Sequence, residues 1–338
     1  MIGTTITQFL IEEQRRIPTA TGDLTSVIND IVTACKTIAA AMRYGAISDD
    51  EIFGAAETTN VQGEVQKRLD IIANDLFLQC TESGGHVAAM ASEEMEAIHY
   101  LPGDQPKGRY LLLYDPVDGS DNVDENATFG TIFSILKRPE DAAGRPELEE
   151  FLQPGTQQVC AGYAIYGPSC MIVMTTGNGS NGFTLDPLVG EFVLTHPNIA
   201  IMPDGPRLAA NIGWLKQFEE PLKSYVSDRL DGSGACAGQE SDLRWSRCMV
   251  ADVHRVLISG GIVISTANAE LRARNHTGIL RLLYEVNPLA LIVEQAGGLA
   301  TNGRSRVLEV QPDSLHQRST MFIGSRDTVS HYLEAYRQ

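Results

Sequence analysis

Apolar residues at Leu24, Val27, Ile28, Ile31, Val32, Cys35 and Ile38 recur at spacings of three and four, which predicts one face of a helix. Val61, Val65, Leu69, Ile72 and Leu76 repeat that spacing and predict a second helix. The pattern then changes. Residues 110–114, 131–136, 159–166, 170–175, 183–185 and 192–195 are short apolar or β-branched runs separated by Gly, Pro and Asn, the punctuation of strands and turns. Residues 196–207 hold three prolines and an Asp-Gly pair and are the expected seam between two halves, 1–197 and 198–338. Beyond it helix and strand alternate. Residues 249–258 predict a helix stopped by Gly260-Gly261, and 262–266 a strand. Residues 288–296 predict a helix opened by Pro288 and closed by Gly297-Gly298. Residues 320–324 predict a buried strand before a C-terminal helix. The sum is α+β material followed by α/β, in two packed halves.

The chain has 338 residues, enough for two domains at roughly 100–200 residues each. With 43% hydrophobic and 20% charged residues it can bury a sizeable core, which excludes wholesale disorder. Asp plus Glu number 43 against 26 Lys plus Arg, a net charge of −17. That balance argues against nucleic-acid binding, which draws its affinity from Lys and Arg. Any anion must therefore be held by local donors or metal ions. There is no uninterrupted apolar run of membrane-spanning length and no basic-then-apolar start of the secretory type. The six cysteines contain no CxxC pair and read as reduced core residues. These features predict a cytoplasmic protein.

The most chemical stretch is Asp115-Pro116-Val117-Asp118-Gly119-Ser120, directly after the apolar run 110–114. A strand ending in two carboxylates offers hard oxygen ligands at its tip. Pro116 fixes the backbone so that the Val117 carbonyl can join them, and the N–H groups of Gly119 and Ser120 can face an anion. Hard oxygens suit Mg²⁺ or Mn²⁺ rather than zinc. An Asx-type turn with solvated aspartates fits the bare motif equally well. Glu93-Glu94 after Ser92 reads as a wet surface pair. Glu285 interrupts an apolar segment before a helix start and needs a partner. Asp70 reads as a solvent-facing charge on the second helix.

Taken together, EVQKRLD (64–70), SEEM (92–95), DPVDGSDN (115–122), GTIFSIL (130–136), LQPGTQQVCAGYAIYG (152–167), MVADVHR (249–255), LRLLYEVNP (280–288), EQAGG (294–298) and LHQR (315–318) resemble class I fructose-1,6-bisphosphatase, in order, over almost the whole chain. DPxDG alone marks only the wider lithium-sensitive, metal-dependent sugar and inositol phosphatases. The resemblance implies a layered αβαβα sandwich that removes the 1-phosphate of fructose 1,6-bisphosphate in gluconeogenesis or a carbon-fixation cycle. It implies two or three Mg²⁺ ions held by Glu93, Asp115, the Val117 carbonyl, Asp118 and Glu285. Glu94, with Asp70, would take the proton of the attacking water. Glu64 would sit on a mobile loop spanning about residues 48–68. Gly119, Ser120 and Arg281 would hold the 1-phosphate.

The resemblance also places Asn211 and, from a neighbouring subunit of a homotetramer, Arg244 at the distal phosphate. Here the sequence departs. Trp214, Trp245 and Ser265 stand where the family has tyrosines, and Ile279 where it has a lysine. Losing such a charged contact costs on the order of 1.5–3 kcal/mol. One of Arg272, Arg274 and His276, in a loop that reads as long, is the expected substitute; solvated loop charges fit these residues too. Asp121 stands where the family has serine, a charge beside the phosphate cradle with no account in the sequence. Thr21-Gly22-Asp23-Leu24-Thr25, with Arg109-Tyr110, fits the family's AMP site, and a helix N-terminus suits a phosphate; ordinary N-capping by Thr21 or Asp23 fits too. The departures leave open another sugar phosphate, such as sedoheptulose 1,7-bisphosphate or a specialised-metabolism sugar, or a non-catalytic regulatory member.

Overall fold

The computed structural model describes residues 3–16, 21–44, 54–59, 65–101, 108–140, 142, 144–239 and 241–335. Glu64, Val61 and most of the expected loop 48–68 lie outside them. Eight strands form one large sheet. In spatial order they are Glu191–Ile199, Ser180–Asp186, Cys170–Thr175, Gln158–Tyr166, Phe129–Lys137, Tyr110–Asp118, Val87–Ser92 and His99–Tyr100. All neighbours run antiparallel except Val87–Ser92 and Tyr110–Asp118, which are parallel. A second sheet orders Asp242–Leu243, Arg207–Ala209, Gly261–Ser265, Met321–Gly324 and Leu299–Thr301.

Period-two alternation sorts the strand residues into layers. Leu112, Tyr114, Phe133 and Ile135 face the helices Ile6–Arg15, Asp23–Tyr44 and Arg68–Glu82. Ile132, Ala161, Tyr163 and Val173 face the helices Met249–Ser259 and Asn287–Gln295, which also cover Val263 and Ile323 of the second sheet. On that sheet's other face Ile262, Ile264 and Phe322 pack with Tyr225, Val226, Val329 and Tyr332 of the helices Leu222–Asp231 and Arg326–Ala335. The result is helix, sheet, helix, sheet, helix. The packing is close enough that a Cβ on Gly162 would lie 2.1 Å from the ring of Phe133.

The helix Asp23–Tyr44 is long and apolar enough to cross a membrane by composition. Its apolar face (Val27, Ile28, Ile31, Cys35, Ile38) is instead buried against the large sheet. All six cysteines are free thiols.

The six expected strands of the large sheet are all present. The second helix begins later than its spacing predicts, because Val65–Lys67 pairs as a strand with Ala55–Thr59. The helix starts at Arg68, where the Asp70 carboxylate accepts the Lys67 N–H at 2.8 Å. The strand Glu191–Ile199 runs into the stretch read as a seam. Its Pro197 is tolerated because this is the edge strand. The helix at Pro288 is preceded by a π-helical turn, Leu282–Val286.

Candidate active site

The one parallel pairing of the large sheet builds the site. Ser92 lies beside Tyr114 in register, so both strands end at the same edge. Glu93 and Glu94 emerge next to Asp115, and the Glu93 N–H donates to the Tyr114 carbonyl at 3.2 Å. The ladder to Phe129–Lys137 then breaks register between Asp115 and Asp118. Such a bulge re-aims groups at a site, and it leaves Pro116 and Val117 outside the regular pairing. The Pro116 carbonyl accepts from Thr131 Oγ1 at 2.7 Å. The Asp115 carboxylate accepts the Val117 N–H at 3.0 Å.

Asp118 is held from the other half of the chain. It accepts the Val250 N–H at 2.6 Å and the Cys248 thiol at 3.1 Å, at the N-terminus of the helix Met249–Ser259, where a carboxylate is favoured. The turn that follows needs glycine. Gly119 has φ +79°, and a Cβ there would lie 2.7 Å from Cβ of Cys248. Glu285 sits in the π-helical turn, a conformation common at functional sites, and accepts the Arg281 N–H at 2.6 Å.

These groups open into a cleft of about 930 Å³. It brings together Asp70, Glu93, Glu94, Asp115, Val117, Asp118, Gly119, Ser120, Asn211, Arg281 and Glu285. Asp70 is therefore not the exposed helix charge its position suggests; it is 4% exposed. Burial, then the repulsion of Glu94 and Glu93 against the opposing Lys67 N–H bond, pushes it up to about 8. Asp115 is pushed well above the carboxylate range by burial and by Glu93, Glu285 and Asp118. Glu285 is pushed up to about 8 by burial, against the pull of Arg281. Asp118 is raised by burial, less so because of its helix N–H bonds.

Crowded, dehydrated carboxylates that resist ionising together fit a hard divalent cation, which would favour their charged forms. Among the described residues no three acidic, thiol or imidazole side chains already converge as a ligand set. The guanidinium of Arg281 lies among them instead, 2.5 Å from Glu93 and 3.7 Å from Glu285.

Other expected residues lie elsewhere. Arg272 donates to the carbonyls of Ala267 and Gln217 and pairs with Glu219 at 3.4 Å. Arg274 pairs with Glu270 at 2.8 Å. Neither lines the cleft, because Asn268 caps a short helix, Ala269–Ala273, that carries both into local bonds. Arg244 pairs with Asp242 at 2.7 Å, away from this chain's own cleft. Lys67, Arg247 and Met249 line the cleft and escaped sequence reading. Asp121 now has an account: its carboxylate is 2.7 Å from Arg247 and 3.7 Å from Lys67.

A separate pocket of about 320 Å³ brings together Thr21, Gly22, Thr25, Arg109 and Tyr110, with Gln14 and Lys137 added. The Asp23 side chain turns away, accepting from Thr21 Oγ1 at 2.7 Å and lying 3.3 Å from His86.

The layered fold and carboxylate cleft define a phosphoric monoester hydrolase, and relatives narrow the class. Fructose-1-6-bisphosphatase, N-terminal domain, matches residues 4–197, and the C-terminal domain of the same name matches 201–337. The chain is 46% identical over 334 residues to "Fructose-1,6-bisphosphatase class 1 3" of Methylibium petroleiphilum, covering 99% of this chain and 92% of that protein. It is 50% identical over 327 residues to "Fructose-1,6-bisphosphatase class 1" of Hydrogenophilus thermoluteolus, covering 96% and 89%. Leishmania major fructose-1,6-bisphosphatase in holo form superposes with TM-score 0.89 at 35% identity, covering 98% of both chains. The same enzyme in the T-state gives 0.84, again covering 98% of both. The chain belongs to the class I fructose-1,6-bisphosphatase family.

Proposed function

We propose that the cleft hydrolyses the 1-phosphate of fructose 1,6-bisphosphate to fructose 6-phosphate and phosphate, with Mg²⁺ held by Glu93, Asp115, the Val117 carbonyl, Asp118 and Glu285. The observation that carries this reading is the convergence of those groups, from both halves of the chain, beside the Gly119–Ser120 turn. When bound, Mg²⁺ polarises phosphoryl oxygens, lowers the pKa of water and stabilises the leaving alkoxide.

The chain's own groups do the rest. The backbone at Gly119 and Ser120, with Arg281, orients the 1-phosphate. Glu94, with Asp70 beside it in the cleft, accepts the proton of the attacking water. The new bond joins the water oxygen to phosphorus. The bond that breaks leaves its electron pair on the sugar C1 oxygen, which takes up a proton. Asn211 lines the sugar end, and Arg244 acts across a subunit interface of a homotetramer. Glu64, expected on the loop 48–68, lies outside the described residues.

The same reading puts the nucleotide groups and all the metal groups but Glu285 in residues 1–197 and the sugar groups in 198–338, in a cytoplasmic enzyme. The pocket at Thr21, Gly22, Thr25, Arg109 and Tyr110 takes AMP, its phosphate at the start of the helix Asp23–Tyr44. The test is phosphate release with Mg²⁺ from fructose 1,6-bisphosphate, fructose 1-phosphate and sedoheptulose 1,7-bisphosphate, with and without AMP. The first substrate should lead on kcat/KM, and AMP should inhibit. A lead for the seven-carbon substrate would reassign the sugar, and no release from any of them would make this a non-catalytic member.

A further inference from the structure

Residues 315–318 belong to the set that carries the family resemblance, yet none of them lines the cleft. They brace two segments that do. Leu282 donates its N–H to the Gln317 carbonyl at 2.7 Å, and Arg318 and Ser319 pair with Arg281 and Leu280 in a short antiparallel ladder. Leu315 is buried with Leu283 and Tyr284 against Ala88, Ala89 and Ala91 of the strand that leads to Glu93.

His316 spans from one segment to the other. Its Nδ1 is 2.8 Å from the hydroxyl of Tyr284, and its Nε2 is 3.2 Å from the Glu96 carbonyl. A carbonyl only accepts, so Nε2 carries the hydrogen. Burial, the largest influence, pushes the imidazole below its ordinary range, so at pH 7 the ring is neutral and Nδ1 accepts from the Tyr284 hydroxyl. The two rings also meet edge to face, with centroids 5.9 Å apart. Both ends of this bridge stand one step from the chemistry. Tyr284 is fully buried and precedes Glu285 in the π-helical turn. Glu96 closes the turn that begins at Glu93, in which Ser92 accepts the N–H groups of Glu94 and Met95 through its hydroxyl and its carbonyl. The Arg281–Glu93 pair also joins the two segments, but through a carboxylate proposed to hold metal. The imidazole bridge uses no carboxylate, so an ion in the cleft leaves it intact.

We infer that His316 is a positioning residue, whose imidazole sets the spacing between the Glu93–Glu94 turn and the turn bearing Glu285, and so the spacing of the carboxylates that share Mg²⁺. The inference rests on the metal-dependent reading above. Outer partners of this kind orient ligands without touching the ion. A planar ring suits the task because its donor and its acceptor sit at fixed places on one rigid body.

The experiment uses Tyr284→Phe, His316→Gln, His316→Leu, and Tyr284→Phe combined with His316→Leu, all in the full chain. Tyr284→Phe removes one oxygen and keeps the ring against the alanines, so it tests the bridge in a folded protein even where His316→Leu unfolds. Calorimetry of the metal-free enzyme with Mg²⁺ should show affinity weakened about 10-fold in Tyr284→Phe and in His316→Leu, the lower end of what such partners cost. The double variant should be little worse than His316→Leu alone, because both substitutions break the same bridge. His316→Gln, whose amide N–H can still donate to the Glu96 carbonyl, should recover part of the loss. At saturating Mg²⁺, kcat for fructose 1,6-bisphosphate should stay down by about 10-fold while KM holds. Fructose 6-phosphate should bind in EDTA as tightly as to the wild type, since no sugar contact is touched. Unchanged Mg²⁺ affinity in either single variant, Tyr284→Phe or His316→Leu, overturns the inference. So do losses that add in the double variant, which would make them two separate packing effects, or an equal loss of fructose 6-phosphate binding, which would make the effect general. Weakened Mg²⁺ binding in the variants of a protein that releases phosphate from no sugar phosphate would sink the hydrolytic reading and leave the bridge standing. Mg²⁺-dependent hydrolysis indifferent to every variant would do the reverse.

Discussion

The guanidinium of Arg281 lies 2.5 Å from the Glu93 carboxylate and 3.7 Å from that of Glu285, and all three line one cleft. A resident cation thus compensates two carboxylates proposed to hold metal. Arg281→Met should leave the Glu93 carboxylate without its cation in the cleft, a change that costs about 3–5 kcal/mol in other buried pairs. Saturating Mg²⁺ should recover most of that loss, because the ion replaces the missing charge. Thermal unfolding with EDTA and with Mg²⁺ measures both. Equal destabilisation in the two conditions would show that Arg281 and the metal do not share these carboxylates.

Gly119 joins the carboxylate strand to the Cys248 loop by contact alone. Gly119→Ala places a Cβ 2.7 Å from Cβ of Cys248 at φ +79°, so the loop must move or the turn must open. The expected cost is on the order of 1–3 kcal/mol of stability. Activity should fall more steeply, by about 10²-fold, because Cys248 and Val250 hold the Asp118 carboxylate. Denaturant midpoints and kcat, taken together, check both. A stable, fully active variant would show that the contact is dispensable.

What was legible in the sequence was local. The β-branched and aromatic runs from Tyr110 to Thr195 are strands because their side chains pack on both sheet faces. Val87–Ser92 is Ala-rich and carries no strand signal; it is a strand because Ala88, Ala89 and Ala91 fit beneath Leu283 and Tyr284. Its parallel pairing is also non-local, so Glu93-Glu94 reads as surface until the neighbouring strand is known. Asp70 is similar: its burial comes from the cleft rather than from its helix. At the sugar end, loop length and charge favoured Arg272 and Arg274, which the short helix Ala269–Ala273 and its C-cap carry into local bonds. Arg247 has no distinguishing neighbours in sequence; its position depends on the pinned backbone of Ser246 and Cys248.

His254 and Asp252 should give opposite pH slopes from one helix. Burial, then repulsion by His196 and Arg255, pushes His254 down to about 4, with its Nδ1 2.9 Å from the Tyr163 hydroxyl. Between pH 6.5 and 4 the unfolded chain binds a proton that the folded chain refuses, so stability falls as pH falls, by about 3 kcal/mol in full. Asp252 is pushed up to about 6, by burial first. From about pH 6 to 3.8 the folded chain takes up the proton more readily, so this group adds stability as pH falls. His254→Gln should flatten the acid-side loss of stability, and Asp252→Asn should steepen it. Urea unfolding at pH 4.5 and 7 reads the sign. Slopes that change in the same direction would refute the assignment.

Proton release tests the carboxylate cluster without reference to turnover. Asp115 is pushed well above the usual range, and Glu285 up to about 8, by burial and mutual repulsion. Near pH 7 the metal-free cluster therefore keeps protons that ordinary carboxylates would have lost. A divalent cation binds the ionised forms, so its binding must expel those protons. Apparent Mg²⁺ affinity should rise with pH through about 8, by roughly tenfold per pH unit for each proton released. Calorimetry in two buffers of different ionisation enthalpy counts the protons directly. Glu285→Gln should reduce the count while weakening Mg²⁺ by more than the 10–100-fold seen when a supporting residue is changed. A flat affinity between pH 6.5 and 8.5, with no buffer dependence of the heat, would mean that the cluster is already ionised and that Arg281 alone suffices to hold it so.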